Sequence, residues 1–488
     1  MKTITKYILT IATLGLMQLN ISSCSSELEE NPISRYKLDN LNKEKIEALI
    51  VGAYEPLSRS RGRLWESSMM RSIEIMGEYA IPPAGALDNY TKYNFEPLRN
   101  DGQNPWITFY DCIGKCNLAI QTIEADQNLA ATVKDPFKAE ALFVRAICYY
   151  NLVRLWGPVP LRVKPIVNSN DTALPLSDEK AIYDQIISDL LICEKTLPDK
   201  VVESKAGRAT AGAAKVFLAD IYLTLKDYAK ARDKAKEVID SKAKYGYGLV
   251  SSLSTLFSPT AATNSEEVFA IKFSQQIGFG SFIPAYIHDD RAAAAGFAAR
   301  GLRFMGVSSK APLISQWDKK DLRFGFNLYD SLVVNGIKVR ANLLAGTNYF
   351  FGKYKDPGAP EETAAGNDFY LFRYADALLI FAESENQVNG PTAAAYDAVN
   401  QVRRRGYGVN QTQTSILADL PANLAKTAFD DLVFRERGYE FICESKRWFD
   451  IKRTDRGATV TVAAGRPAAT RLIWYIPNIE ITNNPLIK

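Results

Sequence analysis

Apolar residues recur with helical spacing along most of this chain. Ala214, Phe217, Leu218, Ile221, Tyr222 and Leu225 fall at i, i+3, i+4, i+7, i+8 and i+11 and form one face of a helix. Lys226-Asp227 reads as a turn, after which Tyr228, Ala231, Ala235, Val238 and Ile239 line a second helical face. Two such helices joined by a tight turn make an antiparallel hairpin, and small residues at Ala219, Ala231 and Ala235 let the two backbones approach closely.

The same kind of hairpin recurs. Leu142, Ala146, Tyr149, Tyr150 and Val153 share a face on a helix that must end at Trp156-Gly157-Pro158-Val159-Pro160, because proline cannot continue it. Ser177 is placed to cap the next helix, with Asp178 and Glu179 suiting its positive end and Ile182, Ile186 and Leu190 forming its stripe. Ala377, Leu378, Phe381, Ala382 and Glu385 precede Asn389-Gly390-Pro391, and a return helix is expected from about Ala393 to Arg405. The pattern resembles tetratricopeptide repeats, whose units bury their faces only by stacking. The fold class expected is all-α, a tetratricopeptide-like scaffold of helical hairpins.

Two stretches break the rhythm. Residues 60–105 hold Pro82, Pro83, Gly85, Asp88-Asn89 and Pro97, and residues 245–370 are rich in Gly, Ser, Thr and aromatics with few long periodic runs. Both are expected as long loops with short strands, inserted in one domain spanning 24–488. Loops of such length in a compact protein tend to be functional or disordered, and the aromatics argue against disorder.

The amino terminus is of a different kind. Lys2 and Lys6 precede a mostly apolar run from Tyr7 to Met17, then Ile21-Ser22-Ser23-Cys24. This is the layout of a secretory signal over residues 1–23, and the apolar run is too short to span a bilayer. Ile21 to Cys24 resembles a lipobox, which makes Cys24 the expected site of lipidation. The acidic Ser25-Ser26-Glu27-Leu28-Glu29-Glu30 that follows resembles a surface-export signal.

Composition then removes whole classes of function. A net charge of +4, spread along the chain, gives no case for nucleic acid. A single histidine, His288, cannot build a two-His zinc site, and no GxSxG elbow accompanies it. Cys112, Cys116, Cys148, Cys193 and Cys443 are odd in number and lack paired CxxC spacing, so buried free thiols are expected, with no metal and no cofactor.

Several ordered blocks resemble the SusD/RagB family of outer-membrane nutrient-binding lipoproteins. They are Trp106 to Ile113 leading to Asn117, Ala139 to Ala146 continuing through Leu155 to Leu161, and Gly207-Arg208-Ala209-Thr210. Tyr374 to Leu379, Phe434 to Phe441, Arg447 to Arg453, Ile476-Pro477 and Asn484-Pro485 follow in order, whereas 245–350 matches only loosely, notably at Asp321-Leu322-Arg323-Phe324. The resemblance implies a non-enzymatic protein anchored by lipid on the outside of the outer membrane. It would bind an oligosaccharide or peptide and cap a SusC-like TonB-dependent transporter, with the inserts carrying the ligand site. A soluble periplasmic helical-repeat adaptor and, further off, a glycoside hydrolase are the competing classes.

On that resemblance, Trp65, Tyr90, Tyr286 and Trp317 from the two inserts are expected to form one shallow aromatic platform, with Asp88 and Asn89 adding hydrogen bonds. Aromatic rings pack on the C–H face of a sugar while Asp and Asn meet its hydroxyls. The competing reading puts these rings in the core. Trp106, Trp156 and Trp448 lie inside helical signatures and are expected as core. Arg435, Glu436, Arg437, Glu440 and Glu444 have spacings that suit ion pairs along one helix, and Arg403-Arg404-Arg405 suits a helix carboxy end.

Overall fold

Helices dominate the computed structural model, which describes residues 41–59, 64–66, 68–95, 100–168 and 171–487. Cys24 and the rest of 1–40 lie outside the described residues. Among the described residues no helix is long and apolar enough to cross a membrane.

The scaffold is a stack in which each helix packs on the next. Lys43–Arg59 packs on Asn100–Ala125, which packs on Ala131–Trp156, and then come Glu179–Thr196, Ala211–Thr224 and Tyr228–Asp240. Tyr374–Asn389 packs on Tyr228–Asp240, and Ala393–Gly406 packs on Tyr374–Asn389. Three of these contacts are the hairpins read from periodicity. Ala219, Ala231 and Ala235 are fully buried, so the helices meet through small side chains as expected. At the tight turn Lys226 takes a positive φ of 60°, and the Asp227 carboxylate accepts from the Lys230 N–H. Gly157, with a φ of 74°, ends the Ala131–Trp156 helix where the two prolines require it.

Some boundaries shift. The cap of the Glu179–Thr196 helix is Asp178, which accepts from the Ala181 N–H, and not Ser177. Ser177 is engaged one step earlier, its N–H donating to the Val159 carbonyl. The first irregular stretch is shorter than 60–105, since the next helix already runs from Asn100 with Pro105 inside it. It also contains a helix, Ser68–Met76, that buries Met69, Met70, Ile73, Ile75 and Met76.

The second insert leaves the scaffold after Tyr228–Asp240 and returns at Tyr374–Asn389. Its two ends are tied by one antiparallel pair, Glu267–Ile271 with Phe369–Arg373. Phe269 meets Phe143 and Phe372 meets Phe217, which seats this pair on the helical stack. Between these strands lie short helices and two pairings, Leu328–Tyr329 with Phe350–Phe351 and Ser331–Val334 with Ile337–Arg340, while Gly306–Val307 pairs with Ala80–Ile81 of the first irregular stretch.

Candidate ligand-binding face

The four rings expected as one platform are not brought together. Trp65 is 3% exposed and stacks on Phe369 at 5.5 Å. Tyr90 is 3% exposed, edge-on to Trp474 at 5.6 Å, in a chain of rings that runs through Trp156 to Trp106. Trp317 is 2% exposed, stacks on Tyr439 at 4.5 Å and donates its indole N–H to Asp321 at 3.0 Å. These three rings are core. A Tyr or Trp ring carries so much apolar area that covering it outweighs leaving it wet. Asp88 and Asn89 are half-buried in the short Asp88–Thr91 helix, where Asp88 pairs with Lys92 at 3.3 Å.

Tyr286 alone stays at the surface, half-buried, and its surroundings are organised. Backbone bonds hold residues 302–304 along 285–288, with the Leu302 N–H donating to the Ala285 carbonyl and the Phe304 N–H to the Tyr286 carbonyl. This sets Phe304 beside Tyr286 at 5.0 Å, while Phe282 stands edge-on to Tyr286 at 4.8 Å. The Arg71 guanidinium, from the Ser68–Met76 helix, lies 5.2 Å from the Tyr286 ring centre and 5.6 Å from that of Phe304. Ile277 and Phe279, on the same insert, are 68% and 51% exposed. No hydrogen bond of the Tyr286 hydroxyl is made among the described residues.

A polar rim adjoins the rings. Arg303, at a positive φ of 58°, donates to Asp290 at 3.1 Å, and the Asn342 amide donates to the same carboxylate oxygen at 3.0 Å. Asp289 accepts from the Arg291 guanidinium at 3.0 Å. Burial pushes the Asp289 carboxyl up, but Arg291 and the N–H groups of Arg291 and Asn342 prevail and hold it below the usual carboxylate range. Sequence reasoning missed Arg71, Phe304, Asp290, Arg303 and Asn342. Nothing local marks Arg71, and 302–304 shows only as three ordinary residues.

His288 lies beneath this face, fully buried, with Nδ1 3.0 Å from the Phe351 carbonyl. Burial and the nearby Lys355 cation take its pKa down to about 3, so the ring is neutral at any physiological pH and cannot serve as a base that gains a proton there. The five thiols of the described residues are buried and free, and burial pushes each of them up. Among the described residues no group of His, Cys, Asp and Glu could hold a metal ion.

The charged helix residues are paired, but not along their own helix. Glu436 binds Arg323 at 2.6 Å and Arg403 at 2.8 Å. Glu440 takes Arg373 at 2.8 Å and Arg323 at 3.0 Å, together with Arg405. Glu444 takes Lys353 at 2.7 Å and Arg373 at 2.8 Å. Arg437 reaches Asp450 at 2.9 Å, whereas Arg435 is half-buried with no such partner among the described residues. Burial acts to raise the Glu440 carboxyl, yet its guanidinium neighbours hold it far below the usual range. The helix is enclosed on several sides, so its charges find partners on the elements around it. Arg403, Arg404 and Arg405 do sit in the last turn of their helix, and each also has a carboxylate, Arg404 that of Asp419.

Known proteins were compared with this chain. A family model described as SusD family matches residues 342–483, and one described as starch-binding associating with outer membrane matches residues 28–223. SusD-like protein P2 of Formosa agariphila is 27% identical over 92% of this chain and 91% of its own length. A SusD-like protein of Bacteroides ovatus is 26% identical over 91% and 81%. Among solved structures, a laminarin binding SusD-like protein superposes with a TM-score of 0.76 at 21% identity, covering 92% of this chain and 99% of its own. Surface glycan-binding protein A from Bacteroides thetaiotaomicron, in complex with laminarihexaose, gives 0.75 at 19% identity over 90% and 97%. These structural likenesses establish the helical fold.

Proposed function

The chain belongs to the SusD/RagB family, and from that premise we propose that it is a cell-surface lipoprotein that binds an oligosaccharide and passes it to a SusC-like TonB-dependent transporter. The observation that carries the ligand part is the strip of Phe282, Tyr286 and Phe304 under Arg71, beside the Asp290–Arg303–Asn342 rim. Sugars are two-sided, with C–H faces that pack on rings and hydroxyls that want donors and acceptors. A spare Tyr286 hydroxyl and a fixed carboxylate–amide pair offer both. The rings of the expected platform are thereby moved to the second insert, with only Tyr286 kept from the original set and Arg71 added from the first.

The protein holds its ligand and does not cleave it. Glycoside hydrolysis needs one carboxyl kept protonated as an acid. Asp289 is held ionised by Arg291, and Asp290 is engaged by Arg303 and Asn342. Laminarin-binding neighbours make β-glucans the first ligands to try. Attachment to the membrane is through lipid on Cys24.

The test is calorimetry of the soluble form, beginning at Ser25, against laminarin oligosaccharides, other glycans and peptides. Saturable binding of an oligosaccharide that Tyr286→Ala and Phe304→Ala both weaken is the expected result. Binding of peptides alone, or of a glycan unaffected by either change, would overturn this assignment. Co-purification of a TonB-dependent barrel in mild detergent, and intact-mass detection of lipid on Cys24, test the two remaining parts.

A further inference from the structure

Away from that face, a cavity of about 50 Å³ lies where the helical stack meets the carboxy-terminal block. Tyr150 and Arg154 reach it from the Ala131–Trp156 helix, Trp65 from the first insert, and Arg437 and Ser445 from the carboxy-terminal block. Three polar atoms of these lining residues are enclosed and have no partner among the described residues: Trp65 Nε1, Arg437 Nη1 and Ser445 Oγ. Their residues are 3%, 2% and 6% exposed. Leaving buried donors unmet is costly, and more so for a charged group.

The chemistry of the three is one-sided. Indole and guanidinium N–H groups only donate, and the serine hydroxyl can donate as well. The carboxylates on the wall are already committed. Asp450 is shared by Arg437 and Arg453, Glu444 serves Lys353 and Arg373, and Asp220 accepts from the Tyr150 hydroxyl at 2.7 Å. Arg154 sits between the Tyr150 and Phe449 rings at 3.7 and 3.8 Å and makes no ion pair with a carboxylate among the described residues. The wall thus carries four cationic side chains, Arg154, Arg437, Lys446 and Arg453, against three carboxylates, together with the three unpartnered polar atoms.

We propose that this cavity binds one small monovalent anion of halide size. By volume the space would hold roughly three or four waters, or a halide with one or two. A water could accept from one or two donors, but it would leave the unpaired half of the Arg437 charge in a poorly solvated pocket. An anion within reach of all three donors would meet them and that charge together. Bound there, it would tie Trp65 and the carboxy-terminal block to the scaffold.

Crystals of the soluble protein soaked in sodium bromide provide the direct test. An anomalous peak within hydrogen-bonding distance of Trp65 Nε1 and Arg437 Nη1 is expected. Melting is then followed against bromide, with sodium gluconate, too large for the cavity, holding ionic strength constant. The wild type should gain stability saturably, and Trp65→Phe combined with Ser445→Ala should need about tenfold more bromide. Water alone in the cavity of the soaked crystal overturns the proposal, as does an equal bromide response in the variant. If the variant does not fold, the wild-type crystal decides the matter.

Discussion

The hairpin scaffold and the second insert are joined in one chain but are stabilised by different means. In the scaffold, Ala219, Ala231, Ala235 and Val238 bring helices together through dry, small contacts, and most charges stay wet, as in Lys180–Asp184. Where the insert meets the carboxy-terminal block, Arg323, Lys353 and Arg373, joined by Arg405 from the end of the Ala393–Gly406 helix, are buried against Glu266, Glu436, Glu440 and Glu444. Hydrophobic contacts there are supplemented by a lattice of charges from six separate stretches of sequence. Such a lattice is specific in partner and unforgiving of loss, whereas a helix stripe tolerates change.

The largest effect should come from removing one member of the lattice. Glu440→Ala leaves three guanidiniums without a shared carboxylate, and a loss of about 3–5 kcal/mol is expected in denaturant unfolding. A loss below that of an ordinary surface change would mean that the two regions do not differ as described.

A second expectation concerns pH. The buried Glu74 carboxyl accepts from the Ser445 N–H and the Tyr79 hydroxyl, yet burial takes it up to about 7 from an ordinary 4.5. A carboxyl raised in the folded state favours folding below its unfolded pKa, and that contribution is lost as pH climbs through the folded value. Stability should therefore fall by roughly 3 kcal/mol between pH 4.5 and 8, and Glu74→Gln should flatten that slope. Urea midpoints across this range check both statements.

Next is the contrast between ligand face and core. Tyr286→Ala should leave the melting temperature nearly unchanged while weakening glycan binding by about 1–3 kcal/mol, if stacking on a sugar is comparable with stacking on a base. Trp317→Ala should instead cost about 3–5 kcal/mol of stability. The smallest effect belongs to the exposed pair, where Lys180→Ala should leave the urea midpoint essentially unchanged. A large change there would erase the distinction between wet and buried charges.

The sequence made the scaffold readable because its information is local. The spacing of Phe217, Leu218 and Ile221, and the stop at Gly157-Pro158, need only a few neighbours to be interpreted. Asp178 displaced Ser177 as a cap because a bridge to Val159, invisible at short range, had taken the serine. The charged helix 426–440 was recognised as paired, but its partners at Arg323, Arg373 and Arg405 depend on tertiary contacts that spacing does not encode. The ligand face was harder still. Trp65, Tyr90, Trp317 and Tyr286 are the same kind of residue in the same kind of segment, and only packing separates three core rings from the one at the surface. Arg71 joins Tyr286 from another element altogether, with no sign in its own neighbourhood.

One feature of the stack bears on how the molecule is made. Tyr228–Asp240 and Tyr374–Asn389 pack face to face, although residues 241–373 intervene. In an uninterrupted array each repeat meets its neighbour as soon as it is synthesised, and assembly can spread from any point. Here that zipper has a gap. The last two scaffold helices can dock only after a long excursion has closed, and closing a long loop delays the contacts that reward it. The first six helices should form early and wait for the rest, so truncating the chain within the insert leaves an apolar face on Tyr228–Asp240 with nothing to cover it. A chain secreted before it folds would present that face to whatever chaperone receives it, until the insert brings its own far end home.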